Sequence, residues 1–148
     1  MTQTEALQVL AGLVGSMGFA ILFHIRGKRL FAASLGGMLS WLLFLLFNRW
    51  VQNEAVAYFL VAAAISVYAE VLAKILKSPV TTFNIISLIP MIPGGSLYYT
   101  MVSAFQKESA EFLPRALHTL QLATALALGI VVVTTMARVI QKIIHGKR

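Results

Sequence analysis

Apolar residues along this chain fall into five long runs separated by short polar connections. The runs cover about residues 4–23, 30–47, 55–73, 80–105 and 116–140. A helix that crosses the hydrocarbon core of a bilayer needs about 20 mostly apolar residues. The pattern therefore predicts an all-α integral membrane protein: residues 1–148 form a single transmembrane domain of five helices. The short connections make successive helices antiparallel neighbours.

The fourth run is interrupted by the segment Pro90-Met91-Ile92-Pro93-Gly94-Gly95-Ser96. The two prolines lack the amide donors that would bond the carbonyls of Ile86 and Ile89, and the two glycines permit backbone angles closed to other residues. Non-helical backbone at membrane depth is tolerated only where it is buried in protein or lines a wet cavity. Broken helices of this kind form midplane sites in secondary transporters. The break favours a transport role, and a plain structural kink is the alternative.

Composition leaves no room for a soluble domain. Hydrophobic residues make up 59% of the chain and charged residues 11%, against averages of about 45–50% and about 25% in soluble domains. The net charge of +7 does not indicate a nucleic-acid partner, because basic residues gather in the cytoplasmic loops of membrane proteins. The chain has no cysteine, and its three histidines lie far apart in sequence. Without a metal-ligand cluster, nucleophile–base pair or phosphate loop, we expect no metal, no cofactor and no enzymatic activity.

The distribution of Lys and Arg predicts the orientation. With five spans and the N-terminus outside, nine basic residues lie on the inner side and three on the outer side. If residues 80–105 were re-entrant from the inside, the count would be seven against five. Because basic residues are enriched on the cytoplasmic side, five spans with the N-terminus out and the C-terminus in are favoured. The inner set is Arg26, Lys28, Arg29, Lys74, Lys77, Arg138, Lys142, Lys147 and Arg148, and the outer set is Arg49, Lys107 and Arg115.

Small residues recur at four-residue spacing on four of the five runs. Such pairs let helix backbones approach closely in lipid, and together they predict a tight bundle. Examples are Ala11 with Gly15, Gly12 with Ser16, Ala32 with Gly36, Ala33 with Gly37, Ala62 with Ser66, and Ala125 with Gly129.

Polar residues around the break are the candidate binding groups. Asn84 and Ser87 precede it and, three apart, share a helical face. If a second half-helix begins near Ser96, its first amides lack intrahelical partners and, with the helix dipole, attract a carboxylate. The freed carbonyls of Ile86 and Ile89 would suit an ammonium group or a proton carrier. The candidate substrate-binding and permeation residues are Asn84, Ser87, Pro90, Pro93, Gly94, Gly95 and Ser96.

Two titratable residues are candidates for coupling transport to an ion. Apart from Glu5 at the start of the first run, Glu70 is the only acidic residue inside a predicted span, and ionisable groups there are functional by default. An ion pair with Lys74, four residues further on, is the alternative. His118 opens the fifth run and can exchange protons near neutral pH, although such a residue more often hydrogen-bonds at the interface.

The segment around the break, with Thr82-Phe83-Asn84 before it, resembles the signature of the threonine/serine exporter family. The chain size and five-span layout resemble the small membrane subunit of its two-component form. The resemblance extends from Leu7 to about Lys142, and implies export of threonine and serine or, as in a related two-subunit pair, of succinate. The signature segment is Ile89-Pro90-Met91-Ile92-Pro93-Gly94-Gly95-Ser96-Leu97-Tyr98-Tyr99.

The resemblance also implies a partner, the larger membrane subunit of the same exporter, in a hetero-oligomer. In single-chain members an N-in half with a cytoplasmic region precedes a half like this one, which makes an inverted repeat. The charge count agrees, because it places this chain N-out. Inverted repeats place their site at the interface between the halves.

The sequence is therefore interpreted as one subunit of a secondary exporter in the bacterial inner membrane, multi-pass in the lipid bilayer. Its substrate is a small carboxylate metabolite, and a proton gradient drives export. The alternatives are a non-transporting scaffold or assembly subunit and a passive channel.

Overall fold

The computed structural model describes residues 3–106 and 109–145, and no strand occurs within these ranges. The all-α prediction is confirmed. Lys107, Lys147 and Arg148, which entered the charge count, lie outside the described residues. The helices are α1 (Gln3–Leu22), α2 (Lys28–Val51), α3 (Glu54–Ile75), α4 (Val80–Leu88), α5 (Gly94–Phe105) and α6 (Ser109–His145), with one 3₁₀ turn (Ile89–Met91) between α4 and α5.

Four of these helices, α1, α2, α3 and α6, are long and apolar enough to cross a membrane. Residues 80–105 supply a fifth candidate span in two pieces, whose axes meet at 58°. The described part of the chain thus has four or five apolar spans, as expected for a multi-pass membrane protein.

Helices α2 and α6 extend furthest beyond their predicted ends. The connection expected at residues 48–54 contains only Gln52 and Asn53 outside the helices, and the Asn53 side chain caps α3 by accepting the Val56 amide at 3.3 Å. The connection expected at residues 106–115 is helical from Ser109 onwards, with Pro114 inside α6. Oppositely charged side chains four apart stabilise a helix, and Glu111 and Arg115 form such a pair there. In the hydropathy pattern these two charged residues belong to the polar connection predicted between the fourth and fifth runs.

Helices α3 and α6 run parallel to each other. At the upper end of the bundle, where α3 begins, His118 Nε2 lies 3.3 Å from Glu54 Oε2. Near mid-length, a Cβ added at Gly129 would lie 2.7 Å from the Ala62 Cβ. Because the chain leaves α3 at the lower end, where Ile75 and Val80 lie, residues 80–105 have to return to the upper end before α6 begins.

Helix α5 packs antiparallel to the first half of α6. The hydroxyls of Thr100 and Thr119 are 3.0 Å apart, and Arg115 donates to the Ser103 hydroxyl at 2.7 Å. These contacts lie between the break and the upper end. The lower half of α6 has no such cover from α5.

Glycines bring α1, α2 and α4 together. A Cβ added at Gly36 would lie 2.6 Å from the Ser87 Cβ, and one added at Gly37 would lie 2.5 Å from the Ser16 Cβ. The Ser87 hydroxyl donates to the Ala33 carbonyl at 3.2 Å, which joins α4 to α2. By contrast, a Cβ added at Gly15 meets nothing within 4 Å. The small-residue pattern thus identified close helix contacts on α2, and Gly15 lies on the open side of α1.

Candidate functional site

The backbone of the break satisfies its own carbonyls. Helix α4 ends at Leu88, the Ile89 amide donates to the Ile86 carbonyl, and the Ile92 amide donates to the Ile89 carbonyl at 3.1 Å. These are the shorter i→i−3 bonds of a 3₁₀ turn. The expectation that the prolines leave these two carbonyls free is therefore wrong. An ammonium group would have to find its acceptors elsewhere.

The bend itself is made by Ile92 and Pro93. Ile92 is extended (φ −62°, ψ 123°), as favoured for a residue before proline, and Pro93 has φ −74° and ψ 56°. The Gly94 amide turns back to the Ile92 carbonyl at 2.6 Å, and the Leu97 amide bonds the Pro93 carbonyl at 3.0 Å. Proline stereochemistry thus accounts for the change in chain direction.

Gly94 and Gly95 open α5 without unusual backbone angles. The one glycine with positive φ in the described residues is Gly27, and a Cβ added at Gly94 or Gly95 meets nothing within 4 Å. The expectation that these glycines adopt angles closed to other residues is wrong. Within the described residues, the amides of Gly95 and Ser96 have no backbone acceptor, in line with the first turn of a helix.

A cavity of about 720 Å³ lies between α4 and the lower half of α6. It extends from Pro93 at the break to the end of α3, which supplies Glu70 at the lower mouth. Most of its wall is apolar, as in ligand sites that place a few polar groups in a hydrophobic pocket. The polar lining residues are Glu70, Thr81, Asn84, Thr134, Arg138 and Gln141.

Asn84 is the most informative residue of this cavity. The residue is 7% exposed, and its buried Oδ1 has no hydrogen-bond donor in the described part of the structure. A buried acceptor left without a donor costs about 1–3 kcal/mol. Because the Oδ1 itself has almost no accessible surface, a ligand in the cavity that carries an ammonium or hydroxyl group would supply the missing donor once the side-chain amide turns towards it. Two other buried oxygens in the described residues share this state, those of Ser16 and Ser66, and neither residue lines the cavity.

The other residues named from the sequence are dispersed. Pro93 lines the cavity with Asn84, whereas Ser87 is fully buried against α2. Pro90 borders a hollow of about 270 Å³ beside α1. Ser96 borders another hollow, of about 450 Å³, above the break. Two further residues, Gly94 and Gly95, are exposed.

The possible coupling residues occupy opposite ends of the bundle. Glu70 lies at the lower mouth of the cavity, and no basic nitrogen of the described residues is within 4.0 Å of its carboxylate. The alternative ion pair with Lys74 is therefore not formed. His118 contacts Glu54 at the upper end, and both side chains are partly exposed. Within residues 3–106 and 109–145, no group of three acidic, His or Cys side chains could hold a metal ion.

The lower half of α6 contributes residues that sequence reasoning did not identify. Thr134, Arg138 and Gln141 recur at four- and three-residue spacing, which places them on one helical face, and all three line the cavity. That spacing indicates a polar helical face and is visible in the sequence. It was missed because Arg138 had been assigned to the general excess of basic residues at the inner end.

Comparison with protein-family models gave one match, and it covers most of the chain. The model described as "Threonine/Serine exporter, ThrE" matches residues 8–136. No curated protein and no solved structure gave a match. The matched range includes the break, Asn84 and Glu70, and ends two residues before Arg138.

Proposed function

This chain belongs to the threonine/serine exporter family, a family of transporters, and from that premise we propose that it is the small membrane subunit of a two-component exporter. The substrate is a small carboxylate metabolite: threonine or serine, or a succinate-like dicarboxylate. A larger membrane subunit of the same family completes the transporter in the bacterial inner membrane, and a proton gradient drives export. The observation that carries this proposal is the cavity around the unpartnered Asn84.

In this proposal the chain crosses the membrane five times, N-terminus outside and C-terminus inside. The parallel arrangement of α3 and α6 supports this, because residues 80–105 must run from the lower end to the upper end between them. A re-entrant segment would return to the side it came from. The excess of basic residues at the lower end supports a cytoplasmic location for that end.

Cysteine labelling tests this topology, because the chain has no natural cysteine. We expect single cysteines at Asn53 and Gln106 to react with a membrane-impermeant thiol reagent in intact cells, and one at Ser78 to react only after lysis. Gln106 separates five spans from four, since it lies outside in the first arrangement and inside in the second. Protection of Gln106→Cys alongside labelling of Asn53→Cys would contradict the five-span arrangement.

The proposed route begins at the lower mouth, reaches Asn84 and ends at the break. From Val80 to Pro93 the chain rises about 15–20 Å at helical spacing, which is near the middle of a hydrocarbon core of about 30 Å. The cavity therefore connects the cytoplasm with the membrane midplane. Glu70, at the entrance, is the proposed proton-coupling residue, because ionisable groups inside membrane spans are functional candidates and no basic side chain of the described residues pairs with it.

Export measurements on Asn84 variants test the function. In cells that contain this chain and its larger subunit, we expect Asn84→Leu to lower export of the transported substrate by about twofold to tenfold for each assembled complex. One lost hydrogen bond is worth about 0.5–1.5 kcal/mol, which corresponds to that range. Labelled threonine, serine and succinate are the substrates to measure, and the chain without its partner is the background.

Ser66→Ala is the matched control. It removes another buried oxygen without a partner, but one that lies outside the cavity, and export should stay at the wild-type level. Normal export by Asn84→Leu would show that the cavity does not bind the transported substrate through Asn84. Absence of export of all three substrates by the wild-type pair, with complex formation intact, would favour the scaffold alternative. Accumulation against a gradient distinguishes a carrier from a passive channel.

A further inference from the structure

We propose that Arg138 and Glu70 act together at the lower mouth of the cavity to select the substrate. Arg138 binds the carboxylate of the substrate, and Glu70 disfavours a second negative charge. This inference rests on the proposed function, since it assigns roles within the same cavity.

The position of Arg138 supports the first role. It follows Thr134 by four residues on the face of α6 that lines the cavity, and the Thr134 hydroxyl is already bonded to the Ile130 carbonyl at 2.8 Å. No carboxylate of the described residues lies within 4.0 Å of the Arg138 guanidinium. Arg138 is thus the one cationic side chain among the described residues that line this cavity, and its planar donors match a carboxylate in bidentate geometry.

Glu70 supports the second role from the facing helix. It lines the same mouth from α3, it is partly buried, and it is not ion-paired with Arg138. A substrate with one carboxylate and one ammonium group can satisfy both charges. A dicarboxylate can satisfy Arg138, but its second carboxylate meets the like charge of Glu70, which is unfavourable at close range.

The competing interpretation is that Arg138 anchors the end of α6 to lipid phosphates. A lysine serves such an anchor equally well, because long basic side chains of either type reach the interface. A bidentate carboxylate site requires the guanidinium, so that an Arg-to-Lys change is not conservative there. The two interpretations therefore predict different results for Arg138→Lys.

The experiment measures initial export rates against internal substrate concentration in cells that contain the chain and its larger subunit, with the amount of assembled complex determined for each variant. For Arg138→Lys we expect the apparent KM for the transported substrate to rise about tenfold or more, as for the loss of one charge-assisted hydrogen bond. Because Glu70 is also the proposed proton-coupling residue, Glu70→Gln is measured by efflux of each substrate down its own concentration gradient, and there we expect the ratio of succinate export to threonine export to rise. Lys142→Gln is the control, because Lys142 lies one turn further along α6 and does not line the cavity.

Each outcome has a distinct meaning. An unchanged KM in Arg138→Lys would overturn the carboxylate role and leave the proposed function standing. An equal rise of the apparent KM in Lys142→Gln would show that only general basic charge matters, which would also overturn the carboxylate role of Arg138. An unchanged substrate ratio in Glu70→Gln would overturn the selective role of Glu70. No export of threonine, serine or succinate by the wild-type pair would refute the proposed function and, with it, this inference.

Discussion

Replacing Pro93, Gly94 and Gly95 together by alanine is expected to lower export by about tenfold or more for each assembled complex. Such a reduction corresponds to about 1.4 kcal/mol or more in the transport barrier. Without Pro93, Ile92 is no longer held in the extended region. Alanine, the best helix former, would then favour a helix that runs on through residues 92–95 into α5, with only the kink at Pro90 left. The upper wall of the cavity would be lost with the bend.

The structure separates the contribution of the proline from that of the glycines. Gly94 and Gly95 already lie in α5, and a Cβ added at either position meets nothing within 4 Å. The double variant Gly94→Ala, Gly95→Ala is therefore the matched control. It keeps Pro93 and its bend, and we expect it to export at close to the wild-type rate.

The decisive measurement is the export rate divided by the amount of complex that co-purifies with the larger subunit. Membrane insertion should persist in the triple variant, because the segment stays apolar. Normal export per complex by the triple variant would show that the bend is a structural kink only. A loss in the double variant as large as that in the triple variant would assign the effect to the glycines, against the geometry described above.

Much of the fold was predictable because lipid restricts the choices. Unpaired backbone groups are costly in hydrocarbon, so that long apolar runs have to be helices, and the described helices follow the five runs closely. The helix ends were less predictable. Glu111 and Arg115 look like loop residues in a hydropathy pattern, yet as neighbours on α6 they form an ion pair that supports a helix.

Only the part of the candidate site that lies in one continuous segment of the chain was predictable from the sequence. Asn84 and Pro93 were identified from the interrupted run, and both line the cavity. Ser87 was grouped with Asn84 because they are three residues apart. A separation of three still turns the helix by about 60°, since a turn contains 3.6 residues, and this difference turns Ser87 towards α2. Arg138 lies more than fifty residues from Asn84 in sequence, and only the packing of α6 brings it to the same cavity.

The second large effect is expected from a substitution at Gly36, and it changes the stability of the fold rather than transport. We expect Gly36→Ala to destabilise the purified protein, because the added Cβ would lie 2.6 Å from the Ser87 Cβ and 2.9 Å from the Tyr68 ring. Overpacking of this kind typically costs about 1–3 kcal/mol. The gain in helix propensity from glycine to alanine is at most about 1 kcal/mol, so that the clash should prevail.

Because the nearest obstructing group is one short side chain, that of Ser87, the effect should be partly reversible in steps. Adding Ser87→Ala to Gly36→Ala removes the hydroxyl but keeps the Cβ at 2.6 Å, and it should restore stability only in part. Adding Ser87→Gly removes both the hydroxyl and the Cβ of Ser87 and should restore more of the stability, even though glycine within a helix costs about 1 kcal/mol. Gly15→Ala, with open space around the new Cβ, is the control and should not lower stability. Thermal unfolding in mild detergent measures all four variants. A Gly36→Ala protein as stable as Gly15→Ala would mean that α2 and α4 are not in the close contact described here.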